Sequence, residues 1–242
     1  MLAPITDLDT HLATRSAWHT LSERVLAPAR HAATGRIGLR AAPGGFTTPE
    51  FATPEFDRTT IAVDGDQLVV TGASGPQRHT VRTLGPAAAF VGLPTDTDTG
   101  VYTATTPSDP ETPVIIDPAA AAALATWFAF GADVLGQWRT VHADEAPTET
   151  QLWPEHFDLA TDLGPDDARR ANYGASPGDG GHELPYLYVD PWSPSDDPFW
   201  NAGSYARLGY EDLVTVSDPV RAALEFFAAG HAVLLGAGSA KS

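Results

Sequence analysis

At Asp117-Pro118, and again at Ser217-Asp218-Pro219, a capping carboxylate is followed by proline and then by a long apolar run. Proline fits the first helical turn, where its missing N–H is no loss, so each site predicts a helix start. The first helix runs from Ala119 to about Val141. Leu124, Phe128, Leu135 and Trp138 form its apolar stripe, which Trp127 and Phe130 widen, so it is expected in the core. The second passes through Val220, Leu224, Phe227 and Leu234 to a stop at Gly236. A third helix is predicted from Thr6 to about Ala33, capped by Thr6 or Asp9, with Leu8, Leu12, Trp18, Leu21, Val25 and Leu26 at near-helical spacing and a bend near Pro28. His11, His19 and His31 lie along it without i, i+4 pairing and are read as surface or interface residues.

Between these helices the pattern changes to short alternating segments. Gly35 ends the helix that begins at Thr6, and Arg36 to Arg40 alternates as a short strand. The sequence Thr-Pro-Glu-Phe then occurs twice, at residues 48–51 and 53–56, and its prolines impose extended or edge structure, with Phe46, Phe51 and Phe56 as anchors. Thr59 to Val63 and Gln67 to Thr71 flank Asp64-Gly65-Asp66, a hairpin signal; spaced calcium ligands do not follow it, so it is a turn. His79 to Leu84 predicts a further strand and Pro86 to Leu93 a short apolar element, while Phe199 to Val216 reads as irregular strands. Helix, strands, helix, strands, helix argues for an α+β fold with mostly antiparallel sheet, three main helices and two similar packed lobes. The lobes are expected at 1–93 and 117–242, joined by a Thr/Asp/Pro-rich connection at 94–116, or else merged in one compact domain.

Charge narrows the partners. The 242 residues carry 14 basic and 31 acidic side chains, a net charge of −17, which repels nucleic-acid phosphates and anionic lipid. There is no cysteine, so any metal would be held by His, Asp and Glu, and thiolate chemistry is excluded. Lys241 is the single lysine, and alanine, glycine and proline are abundant, the bias of a GC-rich genome. No leader-like N-terminal pattern and no uninterrupted apolar run of membrane-spanning length is present, so a cytoplasmic location is expected.

The chemistry-bearing side chains concentrate between Gln151 and Trp192. A strand from Leu152 to Ala160 would put His156 and Asp158 on one face, and a second over Glu183 to Pro191 would send Leu187 and Val189 to the core and leave Tyr186, Tyr188 and Asp190 opposite. If those strands pair, His156, Asp158, Tyr186 and Tyr188 share a face, with His182 and Trp192 at its ends. This face predicts a ligand site at His156, Asp158, Tyr186, Tyr188 and Trp192. The same residues offer a divalent-metal set, His156, Asp158 and His182, with Glu183 or His182 as the acid–base group. Ser176 lacks a nucleophile elbow, because Pro177 removes a backbone donor from any oxyanion hole, and the glycines at 178, 180 and 181 form no phosphate loop.

Several segments resemble an uncharacterised family of actinobacterial hypothetical proteins: Gly35-Arg36-Ile37-Gly38-Leu39 with Gly44-Gly45-Phe46, Leu152 to Ala160, Tyr173 to Asp179, and Pro185 to Val189. The likeness covers most of the chain. A looser likeness of layout links it to a broader bacterial domain of unknown function, in which Trp-Gly-Ser-Phe-Asp-Leu-Ala stands where Trp153 to Ala160 stands here. That segment has no histidine, so the looser likeness implies no shared role for His156. Neither implies an activity or a cofactor.

The expectation carried forward is a small-ligand binding or interaction protein acting on a small molecule or a protein partner, with neither nucleic acid nor membrane. Two alternatives stand beside it: a metal-dependent hydrolase or isomerase using His156, Asp158 and His182, and a structural subunit with Trp192, Phe199 and Trp200 as a partner patch.

Overall fold

The computed structural model describes residues 2–52, 58–193 and 196–239. The second Thr-Pro-Glu-Phe copy, with Phe56, lies outside the described residues. The fold is α+β, with two antiparallel five-stranded sheets.

Ile5–Phe128 and Leu152–Phe157 form one compact unit. Its first helix, α1, spans Leu8–Leu21. Asp7, and not Thr6 or Asp9, is the cap, accepting the Thr10 N–H at 3.1 Å. Just before Pro28, where a bend is expected, the helix takes a π-helical turn over Ser22–Leu26 in which the Ala27 N–H reaches back to the Ser22 carbonyl. Helix α2, Ala27–Thr34, follows and closes on Gly35 in the left-handed region, φ 70°. The sheet is a meander of β1 (Arg40–Ala42), β2 (Gly45–Thr47), β3 (Thr60–Asp64), β4 (Gln67–Gly72) and β5 (Gly75–Thr80). The β3–β4 hairpin turns on Gly65 at φ 60°, as its Asp-Gly-Asp signal predicts. Alternate residues Ile61 and Val63 point into a core with Trp18, Leu21 and Phe46. Phe46 and Phe51 are both buried, as anchors of this segment would be. The segment around Pro86 is helix α3, Leu84–Phe90.

Met1–Pro4, Ala129–Gln151 and Asp158–Ser242 form the other unit. Helix α4, Pro118–Val141, starts in the first unit and ends in this one. Asp117 caps it by accepting the N–H groups of Ala119 and Ala120, each at 2.9 Å. Its length and mean hydropathy of 1.4 would allow a membrane crossing, but Leu124, Trp127, Phe128, Val134 and Leu135 are buried inside the protein, so it is a core helix. The dividing point of the two units therefore lies within α4, while the Thr/Asp/Pro-rich segment 94–116 belongs wholly to the first unit.

The second sheet runs β10-β9-β8-β7-β6, from β6 (Gln151–Trp153), β7 (Asp158–Leu163), β8 (Ala171–Ser176), β9 (Tyr186–Pro191) and β10 (Ala206–Gly209). The strand expected over Leu152 to Ala160 is broken by a turn at residues 154–157, where Phe157 takes φ 54°. Strands β7 and β9 do not pair, because β8 lies between them. Tyr210–Thr215 is helix α5, in place of irregular strand. Helix α6, Pro219–Ser239, is capped by Asp218 as predicted but continues past Gly236.

Candidate functional site

The predicted face is partly assembled. Gly174 on β8 stands opposite Tyr188, and a side chain there would overlap the tyrosine ring. Its absence lets Tyr188 reach across β8 and donate its hydroxyl to Asp158 on β7. Burial, then the Asp158 charge, raises Tyr188 well above the ordinary phenol range, so this hydroxyl stays a donor and is no general base. Tyr186 likewise donates to Asp179, whose other oxygen accepts the N–H groups of Gly181 at 2.6 Å and His182 at 2.9 Å. The His182 ring meets Tyr186 edge-on, centroids 5.4 Å apart, and the Arg207 guanidinium lies over the Tyr186 ring, 5.7 Å from its centroid. Thus Tyr188 and Asp158 join β9 to β7 across β8, while Tyr186 and Asp179, with the His182 N–H on the same carboxylate, pin the glycine-rich loop to the sheet. Glu183 is exposed beyond that loop, and Trp192 is 51% exposed with Arg170 over its ring.

His156 does not join them. It is exposed on the 154–157 turn and belongs to the first unit, whereas Asp158 and His182 belong to the second. The turn breaks the period-two count that would have set His156 beside Asp158. The suggested partner patch is also incomplete, because Trp200 is buried and Phe199 packs on Phe226 with centroids 5.5 Å apart.

A second polar centre lies in the first unit, beside the π-helical turn. Glu23 is 1% exposed, and its carboxylate accepts the N–H groups of Thr105 at 3.0 Å and Thr106 at 2.8 Å. Its backbone carbonyl accepts the Tyr102 hydroxyl at 3.4 Å, and Arg24 donates to the Thr106 carbonyl at 3.0 Å. His19 Nε2 is 3.8 Å from Glu23 and 2.9 Å from the Pro154 carbonyl. The result is a cleft of 240 Å³ between the π turn and the 97–104 loop, lined by Glu23, Arg24, Thr97, Asp98, Thr99 and Tyr102. Tyr102 is raised above its ordinary range, first by burial, then by the carboxylates of Glu23 and Glu155; Arg24 opposes them and Asp98 adds to them. A Glu155 oxygen is buried without a hydrogen-bond partner among the described residues. Counting by 3.6 does not find this centre, because the wider turn changes the angular step and brings Glu23 inward.

A third cluster lies in the second unit. His142, just after α4, and Glu145, in a 3₁₀ turn over Ala143–Glu145, meet through Nδ1 and Oε1 at 3.0 Å. His231 of α6 brings Nε2 to the same Oε1 at 3.1 Å, and its Nδ1 is 3.0 Å from the Tyr173 hydroxyl. Among the described residues this is the group of histidine and carboxylate atoms that converges, in place of His156, Asp158 and His182. The sequence holds only a weak sign of it, His-x-x-Glu at the end of an apolar helix; His231 is supplied by the fold. Comparison with family models, curated proteins and solved structures returned no match.

Proposed function

We propose that the chain is a small-ligand binding protein whose ligand is a compact, donor-rich cation of the organic amine class, held in the cleft beside the π turn. The observation that carries this reading is the lining of the cleft, where the Glu23 and Asp98 carboxylates and the Tyr102 hydroxyl stand against one guanidinium, Arg24, which donates to the Thr106 carbonyl. An ammonium group offset by such carboxylates gains charge-assisted hydrogen bonds, while an anion would meet the same charges with the wrong sign. The 240 Å³ volume sets the size: it falls below the roughly 300–1,000 Å³ of drug-sized pockets, so the ligand is small. A net charge of −17 draws cations toward the protein and argues against nucleic acid as partner.

The test is a thermal-shift and calorimetric panel of small amines, neutral polyols and carboxylates. Amines should raise the unfolding temperature and carboxylates should not. Tyr102→Phe and Asp98→Asn should each weaken amine binding by about 3- to 10-fold, as expected for loss of one hydrogen bond or one partly screened charge. Equal responses across the three classes, or unchanged binding in both variants, would sink the proposal.

A further inference from the structure

We propose that His142 Nδ1, Glu145 Oε1 and His231 Nε2 form a binding site for one divalent transition-metal ion of the zinc class, a site separate from the amine cleft. The three atoms lie within 4.8 Å of one another, and both imidazole nitrogens already point at one carboxylate oxygen, at 3.0 and 3.1 Å. Zinc bonds of about 2 Å to nitrogen and oxygen need donor atoms only slightly farther apart than this, so small side-chain rotations would admit the ion.

The other carboxylate oxygen decides between a metal site and a plain hydrogen-bond network. Glu145 Oε2 is buried and has no hydrogen-bond partner among the described residues, while Oε1 receives both histidines. Two imidazoles crowded on one oxygen, with its equivalent left dry, is a poor use of a buried carboxylate. A cation at the convergence point accounts for both: the histidines turn lone pairs toward it, and the carboxylate can offer it either oxygen. Tyr173 then serves His231 from behind. With Nε2 on the metal, Nδ1 carries the proton and donates to the phenol oxygen at 3.0 Å, the outer-shell bond that fixes a ligand imidazole. Tyr173 is itself fully buried, which holds the phenol oxygen at this position.

The scaffold holds this arrangement in place. Histidine and glutamate three residues apart are eclipsed in a 3₁₀ turn, which puts both side chains on one side. The turn exits through Ala146 at φ 50°, a conformation alanine resists, and Arg170 secures it by donating to the Ala146 carbonyl at 2.8 Å. Trp138 walls the site, its ring 4.0 Å from that of His142 and 5.8 Å from that of His231. Two histidines and one carboxylate suit zinc-class ions more than calcium or magnesium, which prefer all-oxygen shells. Three protein ligands leave a coordination position for water.

The experiment uses the untagged full chain after chelator treatment. Zinc is titrated by calorimetry and cobalt(II) by its visible absorption, on the wild type, His142→Ala, Glu145→Gln and a His31→Ala control. Circular dichroism verifies the fold of each; His142 and Glu145 are only partly buried, so both variants should keep it. One equivalent should bind the wild type and the control, with the intense cobalt bands of a low-coordinate nitrogen–oxygen site. His142→Ala and Glu145→Gln should each lose affinity at least about tenfold. Zinc should also raise the unfolding temperature of the wild type more than that of His142→Ala. Absence of stoichiometric binding, or equal affinity in all four proteins, would overturn the proposal.

Discussion

His11 illustrates what a single residue contributes and where sequence reading misplaces it. Wide spacing along α1 suggests a surface side chain, yet it is 2% exposed, and neither ring nitrogen has a hydrogen-bond partner among the described residues. Burial, reinforced by Arg15, pushes it down to about 4. An unfolded histidine titrates near 6.5, so between there and about 4 the unfolded chain binds a proton that the native protein refuses. Stability is therefore lost as pH falls through that window, by on the order of 3 kcal/mol from this residue. Urea unfolding at pH 7 and pH 4.5 should show a larger acid loss in the wild type than in His11→Leu; identical losses would refute the assignment. The candidate sites divide in the same way. Tyr186, Tyr188, Asp158 and His182 were legible from period-two spacing, and Tyr188 and Asp158 do meet. Glu23 and Tyr102, or Glu145 and His231, are separated by 79 and 86 residues in the chain, and no local rule joins them.

Elements with local punctuation were the readable ones. The Asp117 and Asp218 caps, the Gly35 stop and the Asp-Gly-Asp hairpin each satisfy their backbone groups within a few residues, so sequence alone specifies them. The break at residues 154–157 and the π turn at Ser22–Leu26 depend on distant partners: Phe157 against Phe46 and Phe128, and the Glu23 carboxylate against Thr105 and Thr106. Helix α4 offers a clean test of element-level packing, because two of its glycines differ only in surroundings. A Cβ at Gly131 would come within 2.6 Å of the Ala175 Cβ, whereas one at Gly136 meets nothing within 4 Å. Gly136→Ala should stabilise by about 1 kcal/mol through helix propensity. Gly131→Ala should destabilise by about 1–2 kcal/mol, since overpacking exceeds that gain. Chemical denaturation of the two variants distinguishes them, and the same sign for both would contradict this account of α4.

On the scale of the whole molecule, the chain passes between its two compact units at residues 4–5, 128–129, 151–152 and 157–158. The short return, Leu152–Phe157, supplies its unit with Leu152, bridged to Leu39, and with Phe157, whose ring lies 5.5 Å from Phe46, 5.4 Å from Phe128 and 5.2 Å from His19. A chain emerging from the ribosome with only residues 1–128 exposed therefore has the meander and the helices of that unit but an aromatic cluster with its keystone missing. Stalled nascent chains should remain open to protease at this stage and become resistant once Phe157 has left the exit tunnel; resistance already at residue 128 would show that the return segment is dispensable. Synthesis has to run about thirty residues past the end of the unit's main stretch before that unit can close, so the second unit's first segment, Ala129–Gln151, is always made while the first is still unfinished.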